Sequence, residues 1–214
     1  MKTKPRILVF NSGSGSGFQE LVENLLTGVL NAEIVGLITN NEKYACIQRA
    51  EKFGIPFVVM NEFKTCNYQT IIRYFQPDFV SLSGWLKKVP IDVFDSKKTT
   101  NIHPCILPDF GGPGMYGHHV HEAAIQAYKK GEIQHTEVCM HFVTDEYDKG
   151  PVFFRYRIYI RPDDTADTLG ARVNKIEHAW QSYITNLVVN GEIYWDGKNP
   201  DSLVVPDWIR KNFL

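Results

Sequence analysis

Between the apolar run Ile7–Phe10 and apolar residues at helical spacing (Leu21, Val22, Leu25, Leu26 and Val29), the chain places Ser12–Gly17, a stretch built only of serine and glycine. Strand, tight loop and helix in that order commit the chain to crossover connections and a parallel sheet. The same alternation continues downstream. Glu33–Thr39 reads as a second strand, Tyr44–Phe53 as a helix stopped by Gly54, and Phe57–Met60 as a third strand. A helix over Tyr68–Phe75 stops before Pro77, and Phe79–Ser83 is a fourth strand. The expected fold class is α/β, a doubly wound and mostly parallel sheet with helices on both faces.

The second half changes character. Val138, Met140 and Phe142 alternate with polar neighbours, as do Val152, Phe154, Tyr156, Ile158 and Ile160, which predicts half-buried strands with antiparallel pairing at the sheet edge. Pro104–Gly117 is rich in Pro and Gly and too long for a simple connection, so it is a candidate functional loop. A long helix follows, capped by Asp164 or Thr165, carrying Leu169, Val173, Ile176, Trp180 and Leu187, and ended by Asn190-Gly191. The whole is expected to form one domain, 1–214, with a phosphate-binding half (1–100), a catalytic half (101–195) and a tail (196–214).

Charge narrows the choice of partner. With 23 Lys and Arg against 24 Asp and Glu the net charge is −1, which argues against nucleic acid or an anionic membrane surface and in favour of small molecules. The basic start is followed by too short an apolar run for an export signal, and no apolar stretch approaches the roughly 18 residues of a membrane span. Cys46, Cys66, Cys105 and Cys139 form no Cys-x-x-Cys pair, so no metal site is expected and a cytoplasmic, reduced setting is. Oligomeric state, monomer or homodimer, is not legible.

Three segments carry possible chemistry. The Ser/Gly loop opens a helix, where amide N–H groups and the helix dipole hold anions, or it is simply a tight turn. It lacks the Gly-Lys-Ser/Thr ending of a Walker loop and the third glycine of a dinucleotide fingerprint, and Ile38–Asn41 offers no ribose-binding acid, so a monophosphate fits better than NAD. Asn101 and His103, two apart on an extended segment, share a face. An amide donor beside an imidazole suits carbonyl addition, and a structural histidine is the alternative. The turn of His141–Pro151 is acidic: either a solvated charge run, or the source of an Asp148 that reaches His103 and raises its pKa.

In combination, Ser12–Ser16, Leu82–Gly84, Asn101–Pro108, His141–Pro151, Arg172-Val173 and Glu177-His178 resemble the folate-dependent formyltransferases, in family order over nearly the whole chain. The Ser/Gly loop and the late Glu-His resemble the branch that acts on a glycinamide ribonucleotide. The resemblance implies a Rossmann-like fold and direct transfer of the formyl group of 10-formyltetrahydrofolate to the amine of 5-phosphoribosylglycinamide in purine biosynthesis, without metal. It implies His103 as general acid, Asn101 as oxyanion donor, and Asp148 holding His103 protonated and ordering a water. Gly15, Ser16 and Gly17 would hold the 5′-phosphate through their backbone, and Glu177 with Asn174 the ribose or glycinamide. Leu86, Lys87, Lys88 and Val89, together with Val143, Asn101 and Asp148, would line the folate site. The Leu107-Pro108 bond is cis in the family pattern.

The chain departs from that pattern at Gly17, where Asn is usual, and at Trp85–Val89, where an apolar-Arg-apolar run is usual. The family's Arg before Pro77 has only Asn61 or Lys64 as weak substitutes. Cys105 beside His103 raises a thiol-nucleophile alternative, and His118, His119 and His121 a metal cluster; both are disfavoured. Methionyl-tRNA formylation would want an added C-terminal domain, and formylfolate hydrolysis an N-terminal one. The enzymatic alternative is formylation of a sugar amine, and the alternative of another class is a non-catalytic nucleotide-binding module.

Overall fold

A computed structural model describes residues 3–214; Met1 and Lys2 of the basic N-terminus lie outside the described residues. The first half runs β1 (Arg6–Phe10), α1 (Ser16–Leu26), β2 (Glu33–Thr39), α2 (Ala45–Phe53), β3 (Phe57–Val59), α3 (Thr65–Phe75) and β4 (Phe79–Ser83). The second runs β5 (Thr99–His103), α4 (Gly117–Lys129), β6 (His135–Phe142), β7 (Val152–Tyr159), α5 (Ala166–Val189) and α6 (Asp207–Phe213). One seven-stranded sheet orders them β3-β2-β1-β4-β5-β6-β7. All pairs from β3 to β5 are parallel, and β6 runs against both β5 and β7. The chain moves outward from β1 to β3 and then returns to β4 on the other side of β1. This reversal opens a crevice at the carboxyl ends of β1 and β4.

The period-2 geometry of β1 divides the core. Leu8 and Phe10 join Tyr68, Ile71 and Phe75 of α3 on one face, and Ile7 and Val9 join Phe18, Leu21 and Val22 of α1 and Cys46 and Ala50 of α2 on the other. The C-terminal core packs β6 and β7 under Val120 and Ala124 of α4, Leu169 and Val173 of α5 and Ile209 of α6. Thr165 caps α5 in a reciprocal pair with Thr168. Asp164 accepts from the Arg161 amide and the Thr168 hydroxyl at the same helix start.

Two expectations need correction. Leu26 is 79% exposed and Val29 lies beyond the end of α1, because the chain turns at Gly28 (φ 80°) before the apolar stripe completes another turn. β6 is buried on both faces after its first residue and is not half-buried, because Val138, Met140 and Phe142 sit in the C-terminal core and polar residues on it have partners. Glu137, for one, meets Arg155 Nη1 at 3.0 Å. The half-buried edge strand is β7.

Candidate active site

The first loop is shaped by its neighbours across the crevice. The Ser12 amide donates to Gly84 O at 2.8 Å, the Asn11 side chain donates to Ser83 O, and Asn11 Oδ1 accepts from the Gly13 amide at 2.9 Å. Gly15 enters α1 with φ 73°, and no side chain caps that end, so the first amides of the helix keep the potential to bind an anion. Ser12–Ser14, Ser16 and Gly17 border a cavity of about 570 Å³ that extends to β5, the acidic turn and α5. Gly15 does not border it: a Cβ there would stand 2.5 Å from Cys46 Cβ, on the α2 side. A side chain at Gly15 would therefore meet α2 and not the cavity. Ser16 and Gly17 face the cavity.

Asn101 and His103 of β5 lie on that cavity together, as their spacing predicts. Asp148 is brought to them from the acidic turn at φ 54°, a left-handed conformation that Asp adopts more readily than most residues. Its Oδ1 accepts from Asn101 Nδ2 at 3.2 Å and its Oδ2 from the Gly112 amide at 2.9 Å, while His103 Nδ1 stands 3.8 Å from Oδ2. Burial pushes this carboxyl up, but the His141 hydrogen bond, the His103 charge and the Gly112 amide outweigh it and hold Asp148 at about 2. Asp148 thus turns to the cavity, while Asp145 and Glu146 of the same turn stay exposed.

His103 itself is 4% exposed. Its Nε2 lies 2.8 Å from Phe110 O, an acceptor only, so Nε2 carries a proton and Nδ1 faces the carboxylate. Burial lowers its pKa more than Asp148 and the Phe110 carbonyl raise it. The expected upward shift is therefore corrected in sign, although Asp148 does pull in the direction foreseen. His141 was not foreseen as a site residue. It is paired with Asn101 across β5 and β6, 3.1 Å from the Asn101 amide and 3.4 Å from Asp148 Oδ1.

Asn174 and Glu177 project from α5 into the same cavity, with Asn174 Nδ2 3.4 Å from Glu177 Oε2. Protein packed around Glu177 desolvates it and pushes its carboxyl up to about 7, against the weaker pull of Asn174. A second, small cavity of about 50 Å³ is bordered by Lys87, Lys88, Val89 and Val143 and shares Asn101 and Asp148 with the first. Leu86 borders the larger cavity instead. Lys88 pairs with Asp145 at 2.9 Å.

Cys105 is fully buried, accepts from Thr136 Oγ1 at 3.2 Å and has its thiol pushed up to about 11 by burial, which leaves no thiolate for attack. His118, His119 and His121 open α4; His118 meets Glu122 and Asp167, and His121 is buried beside Gly170. No group of three or more metal-ligating side chains converges among the described residues. The Leu107-Pro108 bond is cis.

The formyl transferase sequence family matches residues 5–186. The chain belongs to that family. Among formyl transferases, the chloroplastic phosphoribosylglycinamide formyltransferase of Arabidopsis thaliana is 30% identical over 92% of this chain and 73% of its own length. The phosphoribosylglycinamide formyltransferase of Bacillus subtilis (strain 168) is 30% identical over 82% of this chain and 90% of its own. A crystal structure of glycinamide ribonucleotide transformylase 1 from Symbiobacterium toebii superposes with a TM-score of 0.82 at 23% identity, covering 95% of each chain, and shares the formyl transferase fold.

Proposed function

We propose that this formyl transferase moves the formyl group of 10-formyltetrahydrofolate to the primary amine of 5-phosphoribosylglycinamide in purine biosynthesis. The observation that carries the reading is the convergence of Asn101, His103 and Asp148 where the two cavities meet. The relatives named phosphoribosylglycinamide formyltransferase support the same substrate pair.

The amine attacks the formyl carbon, the new C–N bond forms, and negative charge develops on the formyl oxygen. Asn101 supplies an amide donor for that charge and His103 a proton, the two groups that carbonyl addition asks for. Collapse breaks the bond to the folate nitrogen, which takes up a proton while the attacking amine gives one up, so no net proton is consumed. Asp148 stabilises positive charge on His103 during this exchange. In the resting site the Nε2 proton is committed to Phe110 O, so handing it on requires the segment 104–116 to give way.

The phosphate lies at Ser16 and Gly17, the ribose against Asn174 and Glu177, and the folate along Lys87, Lys88, Val89 and Val143. The 1–214 chain works as one domain, acts on small molecules and not on nucleic acid or membrane, and resides in the cytoplasm. Among the described residues no helix is long and apolar enough to cross a membrane. The test is a formyl-transfer assay pairing 10-formyltetrahydrofolate with 5-phosphoribosylglycinamide and, separately, with sugar amines. Turnover with the ribonucleotide and none with the others is the expected result; the reverse preference would overturn it.

A further inference from the structure

Gln181 of α5 is 1% exposed, yet it borders the larger cavity. Its Oε1 accepts from Ser83 Oγ at 3.4 Å, while its Nε2 is buried with no partner. A buried amide N–H without an acceptor is costly and calls for an explanation. Gly17, at the start of α1, packs against Oε1 of the same carboxamide. A Cβ at Gly17 would stand 2.7 Å from Gln181 Oε1 and 2.6 Å from Ser83 Oγ, so the carboxamide occupies the space that any side chain there would need.

The guanidinium beside the loop is engaged elsewhere. Arg49, the nearby cation, donates from Nε to Ser14 O at 2.9 Å and from Nη1 to Gln19, and does not border the cavity. Ser16 and Gly17 begin α1, whose free amides and dipole favour an anion. Gln181 also stands one turn beyond Glu177 on the same face of α5, roughly 6 Å along the axis. A helix that meets the sugar at Glu177 thus reaches the phosphate end at Gln181.

We propose that Gln181 is a substrate-binding residue: its side-chain N–H donates to the phosphomonoester held at the start of α1, and Gly17 lacks a side chain to make room for it. The inference deepens the reading above by naming what recognises the phosphate.

The test uses the full chain with Gln181→Met, which keeps length and removes the donor, and Gln181→Glu, which replaces it with a negative charge. A hydrogen bond to a charged group corresponds to roughly ten- to a hundredfold in affinity, so Gln181→Met should raise KM for the ribonucleotide by about that factor. KM for the folate should stay within about twofold, and kinetics with the 5′-dephosphorylated riboside should not change. Gln181→Glu should weaken the ribonucleotide further. Equal losses with ribonucleotide and riboside, or no loss with the ribonucleotide, would overturn the assignment.

Inorganic phosphate supplies a readout independent of turnover. It should raise the melting temperature of the wild-type chain and protect Gln181→Met and Gln181→Glu less. Equal protection of all three would overturn the role of Gln181 even if formyl transfer is observed. Failure of wild-type turnover beside selective phosphate protection would instead count against the reaction alone. If Gln181→Met does not fold, Gln181→Glu read by both measurements decides the matter.

Discussion

Asp148 Oδ2 stands 3.8 Å from His103 Nδ1, close enough to favour imidazolium and too far for a settled hydrogen bond. The remaining capacity of the carboxylate goes to Asn101, His141 and Gly112. Burial pushes the His103 pKa down while Asp148 pulls it up, so the two act on the ring in opposite senses. A group meant to exchange a proton during the reaction needs a modest barrier in both directions.

His103→Ala removes the imidazole that stands beside Asp148 on the larger cavity, the group proposed above as the proton donor. Turnover should fall by about 10²–10⁴-fold while both ligands still bind. Single-turnover rates beside equilibrium binding check this, and near-normal turnover would remove His103 from its role.

Asp148→Asn keeps shape and removes charge. The His103 pKa, already lowered by burial, should drop further, and kcat should fall with KM little changed, because the lost interaction serves charge that develops during the reaction. Stability should respond as well. Asp148 has a depressed pKa, so its contribution is present above the unfolded value near 3.8 and is lost as pH falls toward about 2. At neutral pH that contribution is of order 2 kcal/mol. NMR titration of His103 and acid unfolding of both proteins provide the measurement; an unmoved imidazole with full activity would contradict the coupling.

Glu177 has the opposite sign. Its pKa is raised to about 7, so folding is favoured below the unfolded value near 4.5 and penalised progressively as pH rises through 7. Glu177→Gln should therefore stabilise the chain at pH 8 by roughly 2–3 kcal/mol, with little gain at pH 4, while weakening the ribonucleotide. Denaturant melts at the two pH values would show it, and equal effects at both would refute the assignment of the strain to a buried charge.

Gly15→Val tests the loop. The new side chain meets Cys46 of α2 at a φ of 73°, a conformation that costs a β-branched residue of order 1–3 kcal/mol before the clash is counted. A lowered melting temperature is expected, with no selectivity between the two ligands in whatever folded protein remains. Selective loss of the ribonucleotide would show instead that Gly15 meets the phosphate directly.

The strands β2 and β4 were legible to the residue, because runs such as Glu33–Thr39 and Phe79–Ser83 are apolar, β-branched and closed by turn residues. Asn101, His103 and Asp148 were legible as types and spacings. His141 was hidden because its place comes from pairing with Asn101 across two strands 40 positions apart, which no local pattern encodes. Gln181 was hidden for a related reason: in the sequence it is one more polar residue on a helix, and only Gly17 on another element makes it distinct. The sign of the His103 shift is set by burial of the ring, a tertiary fact.

Helix α5 is 24 residues long, and Gly170, Asn174, Glu177, His178 and Gln181 all border the larger cavity while Leu169, Val173 and Leu187 anchor the helix in the core. The helix therefore works as a single rigid reading head whose azimuth is set by its apolar side. One inserted residue between Gly170 and Asn174 would rotate everything beyond it by about 100° and swing Asn174, Glu177 and Gln181 away from the cavity together. Gains and losses of chain length in relatives should accordingly be confined to the connections before Ala166 and after Val189, where they leave the register of this head untouched.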